Sequence, residues 1–154
     1  MSVRKLSHLG LCVSDPERAL AFYRDGLGFR EVSQATFADP GTRRLLGLPE
    51  ARLEAIYLRR DGCTLELLHF PQPGTQHEDG PRPMNRVGLT HLSLLVEDLD
   101  ATVAQLEALG GAVLGETRLD GGSAGPSVVF VTDPDGTRIE LVQGDFDPEL
   151  LGHA

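Results

Sequence analysis

Residues 6–13, Leu-Ser-His-Leu-Gly-Leu-Cys-Val, carry the alternation of a β-strand, and the stretch from Leu89 to Val96 repeats it. Each alternation breaks at a helix-start signal. In the first, Ser14-Asp15-Pro16-Glu17 offers a side-chain acceptor for free amides and a proline suited to the first helical position. The helix predicted over Glu17–Asp25 stops at Gly26, and strand patterns follow near 29–37, 53–59 and 63–70. In the second, Asp98 caps a helix predicted over Leu99–Leu109, with Leu99, Val103 and Leu106 on one face and Gly110-Gly111 as its stop. Strands then fit 112–119, 127–132 and 137–143. The order is βαβββ twice, an α+β chain, and Pro71–Arg86, rich in proline and polar residues, reads as the linker.

The two halves match residue by residue. At one fixed spacing Ser7/Thr90, His8/His91, Leu9/Leu92, Leu11/Leu94, Val13/Val96 and Asp15/Asp98 pair; at a shorter one Asp61/Asp135, Gly62/Gly136, Leu65/Ile139, Glu66/Glu140 and Leu67/Leu141 pair. The first copy is therefore longer in its middle. Its extra residues are assigned to Ala38–Arg52, a loop with Pro40-Gly41 and Gly47-Leu48-Pro49. The expectation is a single domain, residues 1–154, made of module 1 (about 4–70), a linker (71–86) and module 2 (87–144).

Alternation also places the polar residues inside these strands. Leu6, His8, Gly10 and Cys12 share one face, and Leu89, His91, Ser93 and Leu95 share the equivalent one. Thr64, Glu66 and Leu68 lie together, as do Arg138, Glu140 and Val142. A carboxylate centred in an apolar strand is costly to bury unless its charge is compensated. Two histidines and two glutamates converging on one point would hold a divalent metal, which compensates both charges. The remaining histidines, His69, His77 and His153, fall at a strand end, in the linker and in the tail, where solvation accounts for them.

Charge and composition narrow the partners. A net charge of −9, from 14 basic and 23 acidic residues, argues against nucleic-acid or anionic-membrane binding. The start, Met-Ser-Val-Arg-Lys-Leu-Ser-His, has no apolar core of signal-peptide length, and no later run could span a bilayer. Cys12 and Cys63 do not make a disulfide framework, so a cytoplasmic location is expected.

Four segments together resemble the vicinal oxygen chelate superfamily of glyoxalases, bleomycin resistance proteins and extradiol dioxygenases. They are His8-Leu-Gly-Leu-Cys-Val, Ala21-Phe-Tyr-Arg-Asp-Gly-Leu-Gly-Phe29, Thr90-His-Leu-Ser-Leu-Leu-Val and Phe130-Val-Thr-Asp-Pro-Asp-Gly-Thr-Arg-Ile-Glu140-Leu, and the likeness runs from about His8 to Gln143. The resemblance implies tandem βαβββ modules whose sheets curve into a cup around a metal. It maps His8, Glu66, His91 and Glu140 one by one to ligand positions, for one divalent ion (Zn, Ni, Co, Mn or Fe) per site. It also implies a small-molecule substrate and a homodimer.

Within that superfamily, a fourth ligand at the Glu66 position resembles glyoxalase I and methylmalonyl-CoA epimerase. The implied chemistry is proton transfer next to a carbonyl through a metal-bound enediolate, of lyase or isomerase type, with Glu140 or Glu66 as general base. An extradiol-type dioxygenase would need His8, His91 and Glu140 alone, and a bleomycin-resistance-like binding protein would need no metal. The chain departs from glutathione-dependent glyoxalase at two positions: Cys12 stands where that family has an arginine, and Phe70 where it has an asparagine. Both changes remove groups that would hold glutathione, so the substrate is open. Arg43, Arg44 and Arg52 in the inserted loop are read as solvated and Cys12 as a small buried residue. Gly121–Gly125 reads as a turn between strands rather than a phosphate cradle.

Overall fold

The computed structural model describes residues 2–77, 82–122 and 125–145, and the chain falls into two compact units, Met1–Asp79 and Gly80–Ala154. His153 lies outside the described residues, as do Ser123 and Ala124 of the glycine-rich turn.

In the first unit, β1 (Leu9–Cys12) leads to α1 (Pro16–Leu20), whose last turns widen into a π-helical segment, Ala21–Gly26. The expected cap is in place: Asp15 accepts from the amides of Glu17 and Arg18 at 3.0 and 3.1 Å, and Pro16 opens the helix. β2 (Arg30–Phe37), α2 (Pro40–Leu46), β3 (Arg52–Arg60) and β4 (Cys63–Gln72) complete the unit. The sheet order is β1-β4-β3-β2, with β1 parallel to β4 and the other pairs antiparallel. Asp61 and Gly62, both at positive φ (48° and 79°), form the two-residue turn between β3 and β4. That turn sets Arg60 opposite Cys63, and so Tyr57 opposite Glu66.

The second unit repeats the plan. β5 (His91–Val96), α3 (Leu99–Ala108), β6 (Ala112–Leu119), β7 (Ser127–Thr132) and β8 (Arg138–Gln143) form a sheet ordered β5-β8-β7-β6, again with the first pair parallel. Asp98 caps α3 through the Ala101 amide at 2.9 Å. The β7–β8 turn is held by Asp133, a buried carboxylate that accepts from the amides of Asp135 and Thr137.

Each sheet has a buried face and an open one. Ile56, Leu58, Leu65 and Leu67 are buried in the first unit, together with Ala19, Phe22 and Tyr23 of the helix. Val129, Val131, Ile139 and Leu141 do the same in the second, with Leu99 and Leu106 of α3. Burying each of the valine, leucine, isoleucine and phenylalanine side chains contributes about 1.5–3 kcal/mol, which anchors the strand faces and leaves the alternate residues pointing away from the core. The α+β class and the repeated module are as expected from the sequence. The inserted segment differs, because Pro40–Leu46 is a helix rather than a loop. Asp39 caps it through the Thr42 amide and hydroxyl at 3.0 and 2.6 Å, and Gly47, at φ 68°, closes it.

Candidate metal centre

Within the first unit, His8 and Glu66 meet. His8 lies one residue before β1, and β1 runs in register with β4 so that Gly10 is opposite Glu66. This brings His8 Nε2 within 3.1 Å of Glu66 Oε2. The Glu66 side chain is 13% exposed and His8 39%, so the carboxylate sits deeper than the imidazole. Tyr57, directly across on β3, donates its hydroxyl to Glu66 Oε1 at 2.5 Å and packs edge-on against the His8 ring at 6.0 Å. The hydrogen bond to Glu66, followed by burial and the charge of the carboxylate, pushes the Tyr57 phenol up to about 12, so it stays a donor at neutral pH. Ser7 Oγ lies 3.0 Å from His8 Nδ1, engaging the ring nitrogen remote from Glu66.

The second unit builds the same pair from equivalent positions. His91 opens β5, Glu140 is on β8, and His91 Nε2 is 3.7 Å from Glu140 Oε2. Thr90 Oγ1 lies 2.9 Å from His91 Nδ1, as Ser7 does for His8, and Phe130 packs edge-on against His91 at 5.3 Å, as Tyr57 does against His8. Ser93, opposite Glu140 in the register, donates to its Oε2 at 2.6 Å.

Each pair has the donor types of a divalent-metal ligand set, an imidazole nitrogen and a carboxylate oxygen. Donors about 2.0–2.2 Å from a shared ion stand about 3.0 Å apart at a right angle and about 3.4 Å apart at the tetrahedral angle. The 3.1 Å pair meets the first value, and the 3.7 Å pair needs a small inward shift to reach the second. In each pair the Nε2 atom faces the carboxylate, and the other ring nitrogen has a hydroxyl neighbour that can orient it. Among the described residues no three such donors gather into one group.

The other sequence candidates have contacts of their own. Arg43 Nε donates to the Ala51 carbonyl at 3.1 Å and so ties the end of the insertion to its own helix, and Arg52 lies 3.6 Å from Glu54. Arg44 lies on α2. Cys12 is exposed, not buried, because it lies on the open face of β1. His69 is half-buried beside the Val13 carbonyl at 3.4 Å, a link between strand ends rather than a solvated side chain, while His77 is exposed. Sequence reasoning misses the parts played by Tyr57, Ser93 and Phe130. The two-residue Asp61-Gly62 turn is the signal that could reveal Tyr57, since it puts that residue across from Glu66.

No helix among the described residues is long and apolar enough to cross a membrane. Residues 5–141 match the profile of the Glyoxalase/Bleomycin resistance protein/Dioxygenase superfamily. Among relatives by sequence, a lactoylglutathione lyase of Pseudomonas aeruginosa is 31% identical over 94% of this chain and 85% of its own length. The mitochondrial methylmalonyl-CoA epimerase of Homo sapiens is 29% identical over 90% and 73%. Among solved structures, a glyoxalase family protein from Bacillus cereus superposes with a TM-score of 0.79 at 20% identity, covering 93% of this chain and 95% of that one. A mutant form of the fosfomycin resistance protein FosX of Listeria monocytogenes, complexed with Mn(II) and a dihydroxypropylphosphonic acid, superposes with a TM-score of 0.61 at 15% identity, covering 99% of each chain.

Proposed function

Because the chain belongs to the Glyoxalase/Bleomycin resistance protein/Dioxygenase superfamily, we propose that it is a divalent-metal-dependent enzyme that moves a proton at a carbon next to a substrate carbonyl. His8, Glu66, His91 and Glu140 are its metal ligands. The observation that carries this reading is the recurrence of one His–Glu pair, Nε2 to Oε2, on the open face of each unit. A bound divalent ion supplies Lewis acidity toward the carbonyl oxygen, which makes the adjacent C–H acidic.

The chain's own residues divide the remaining work. Glu140 is assigned as general base at Oε1, the oxygen that carries no hydrogen bond among the described residues, since Ser93 and His91 both address Oε2. Glu66 has Oε1 held by Tyr57 and Oε2 toward His8, which suits a fixed ligand better than a proton carrier. Leu95, Val142 and Phe130 on the Glu140 face and Leu68 on the Glu66 face are apolar neighbours that would limit water near the proton in flight. Manganese, the ion of the Listeria structure, is one candidate among Zn, Ni, Co, Mn and Fe.

The substrate is assigned as a small carbonyl compound other than a glutathione adduct, because Cys12 and Phe70 provide no cation and no amide for the tripeptide. The chain is taken to act in the cytoplasm as a homodimer, for which light scattering should give twice the chain mass. The activity test is exchange of substrate α-protons for deuterium by metal-loaded protein, surveyed over thioesters, hemithioacetals and α-keto acids. Exchange in one class that Glu140→Gln abolishes supports the reading. No exchange in any class, or oxygen uptake with catechols on iron loading, refutes it and favours the dioxygenase alternative in the second case.

A further inference from the structure

The segment by which the first copy exceeds the second carries a basic pocket of its own. Helix α2, its glycine stop and the residue two beyond it shape a surface hollow of about 510 Å³, lined by Pro40, Arg43, Arg44, Gly47 and Pro49. That volume falls within the range of small-molecule sites. Among the described residues no carboxylate lines it. The acidic side chains nearest in the chain are turned to other uses. Asp39 accepts from the Thr42 amide and hydroxyl, and Glu50 lines a separate hollow with Leu48, Pro49 and Pro73. Neither guanidinium is neutralised. Arg43 gives only its Nε, to the Ala51 carbonyl at 3.1 Å, and the Arg44 guanidinium makes no hydrogen bond or ion pair among the described residues. By contrast Arg24, Arg52 and Arg60 of the same unit face carboxylates at 2.7, 3.6 and 3.1 Å.

We propose that this pocket binds the phosphoryl group of a small organic phosphate, with Arg43 and Arg44 donating to its oxygens. A guanidinium presents N–H donors in a planar fork that matches phosphate, and such charge-assisted bonds are roughly twice as strong as neutral ones. Two guanidiniums offer more donors than the two oxygens of one carboxylate can take up. A phosphoryl group brings three acceptor oxygens and a charge of about −1.5 to −2, which suits both. The Ala51 contact already holds the Arg43 stem, so less side-chain freedom is lost when the anion arrives. The hollow exceeds what one phosphate fills, and its remaining walls are the rings of Pro40 and Pro49, apolar and fixed at φ. An organic substituent on the phosphate rests there. The site uses neither His–Glu pair, so it stands independently of the metal reading.

The test is titration of phenyl phosphate into the isotope-labelled full chain at fixed ionic strength, read as backbone amide shifts, with benzoate as the carboxylate comparison. Phenyl phosphate is expected to give saturable shifts at Thr42, Arg43, Arg44 and Gly47, at an affinity about tenfold above that of benzoate. Arg44→Gln should weaken it about tenfold, and Arg44→Lys, which keeps the charge but loses the fork, about threefold. Arg44 is exposed and its guanidinium has no partner to lose, so these variants keep the fold. Arg59→Gln removes the same charge from β3, where that guanidinium meets Thr64 at 3.4 Å, and should stay within about twofold of wild type. Shifts that do not saturate at α2 overturn the proposal, as does an Arg44→Gln chain that binds like wild type. So does Arg59→Gln weakening binding as much as Arg44→Gln, which would mark a general charge effect. Benzoate binding as tightly as phenyl phosphate overturns the assignment to phosphate. Each of these results leaves the metal reading untouched, and a chain that takes up no metal leaves this site standing.

Discussion

Replacing Asp133 by alanine should destabilise the protein by about 2–4 kcal/mol, from two amide donors at about 1–2 kcal/mol each. Asp133 is 3% exposed and heads the turn that leads into β8, whose first residue, Arg138, pairs with His91. Its Oδ1 accepts from the Asp135 amide at 2.9 Å and the Thr137 amide at 2.7 Å, while its own amide donates to the Thr137 carbonyl at 2.9 Å. Alanine keeps the backbone bond and orphans the two amides. An unsatisfied buried donor costs about 1–3 kcal/mol, and because Asp135 and Thr137 are half-buried the lower part of that range applies to each. Asp133→Asn keeps an oxygen acceptor but loses its charge, so it should cost about 1 kcal/mol. The assay is urea unfolding followed by far-ultraviolet circular dichroism. With a slope of about 1–3 kcal/mol/M, the alanine variant should shift the midpoint by roughly 1–2 M at an unchanged slope. An alanine midpoint within about 0.3 M of wild type, or an asparagine variant as damaged as the alanine one, would refute the view that this carboxylate holds the turn.

Three further outcomes follow from the same contacts. Gly10→Val should lower metal affinity about tenfold in competition with a chromophoric chelator, because a Cβ there meets Leu68 Cδ1 at 3.2 Å and reaches within 4.0 Å of Glu66 Oε2; undiminished affinity would show that β1 does not crowd the carboxylate. Leu58→Ala, at a fully buried position, should cost about 2–5 kcal/mol in urea unfolding, whereas Leu45→Ala, 85% exposed on α2, should cost under about 0.5 kcal/mol. The Thr42 hydroxyl and amide hold the Asp39 carboxyl below its ordinary value of 3.8, so this cap stabilises α2 above that pH and the contribution fades as pH falls through the lower folded value. Amide exchange at Thr42 and Arg43 should therefore accelerate as pH falls below about 3.8 relative to the intrinsic rate, and Asp39→Ala should remove that response.

Much of the module is legible in the sequence because duplication keeps the strand period and the cap residues together. Asp15 and Asp98 mark both helix starts, and the caps form as their spacing implies. Duplication also singles out His8, Glu66, His91 and Glu140, but their meeting as the pairs His8–Glu66 and His91–Glu140 is set by cross-strand register and is not contained in the alternation. Helix α2 is not legible, because Pro40, Gly41, Gly47 and Pro49 read as loop punctuation. Yet Asp39-Pro40 and Gly47 are also a start and a stop, and in the folded chain they act as such. The exposure of Cys12 escapes the pattern because alternation names a face but not whether that face is covered. The hydroxyl contacts of Tyr57 and Ser93 are a property of cross-strand register, which a single strand's pattern does not contain.

The account stands on the two His–Glu pairs being metal ligands, and the direct test is the metal content of chelator-free protein by inductively coupled plasma mass spectrometry. Wild type dialysed against each of Zn, Ni, Co, Mn and Fe in turn should retain a divalent ion at stoichiometric level, and His8→Ala, Glu66→Ala, His91→Ala and Glu140→Ala should each lose most of it. A wild type that retains none of these ions, or one that retains its ion undiminished in all four variants, would contradict the account.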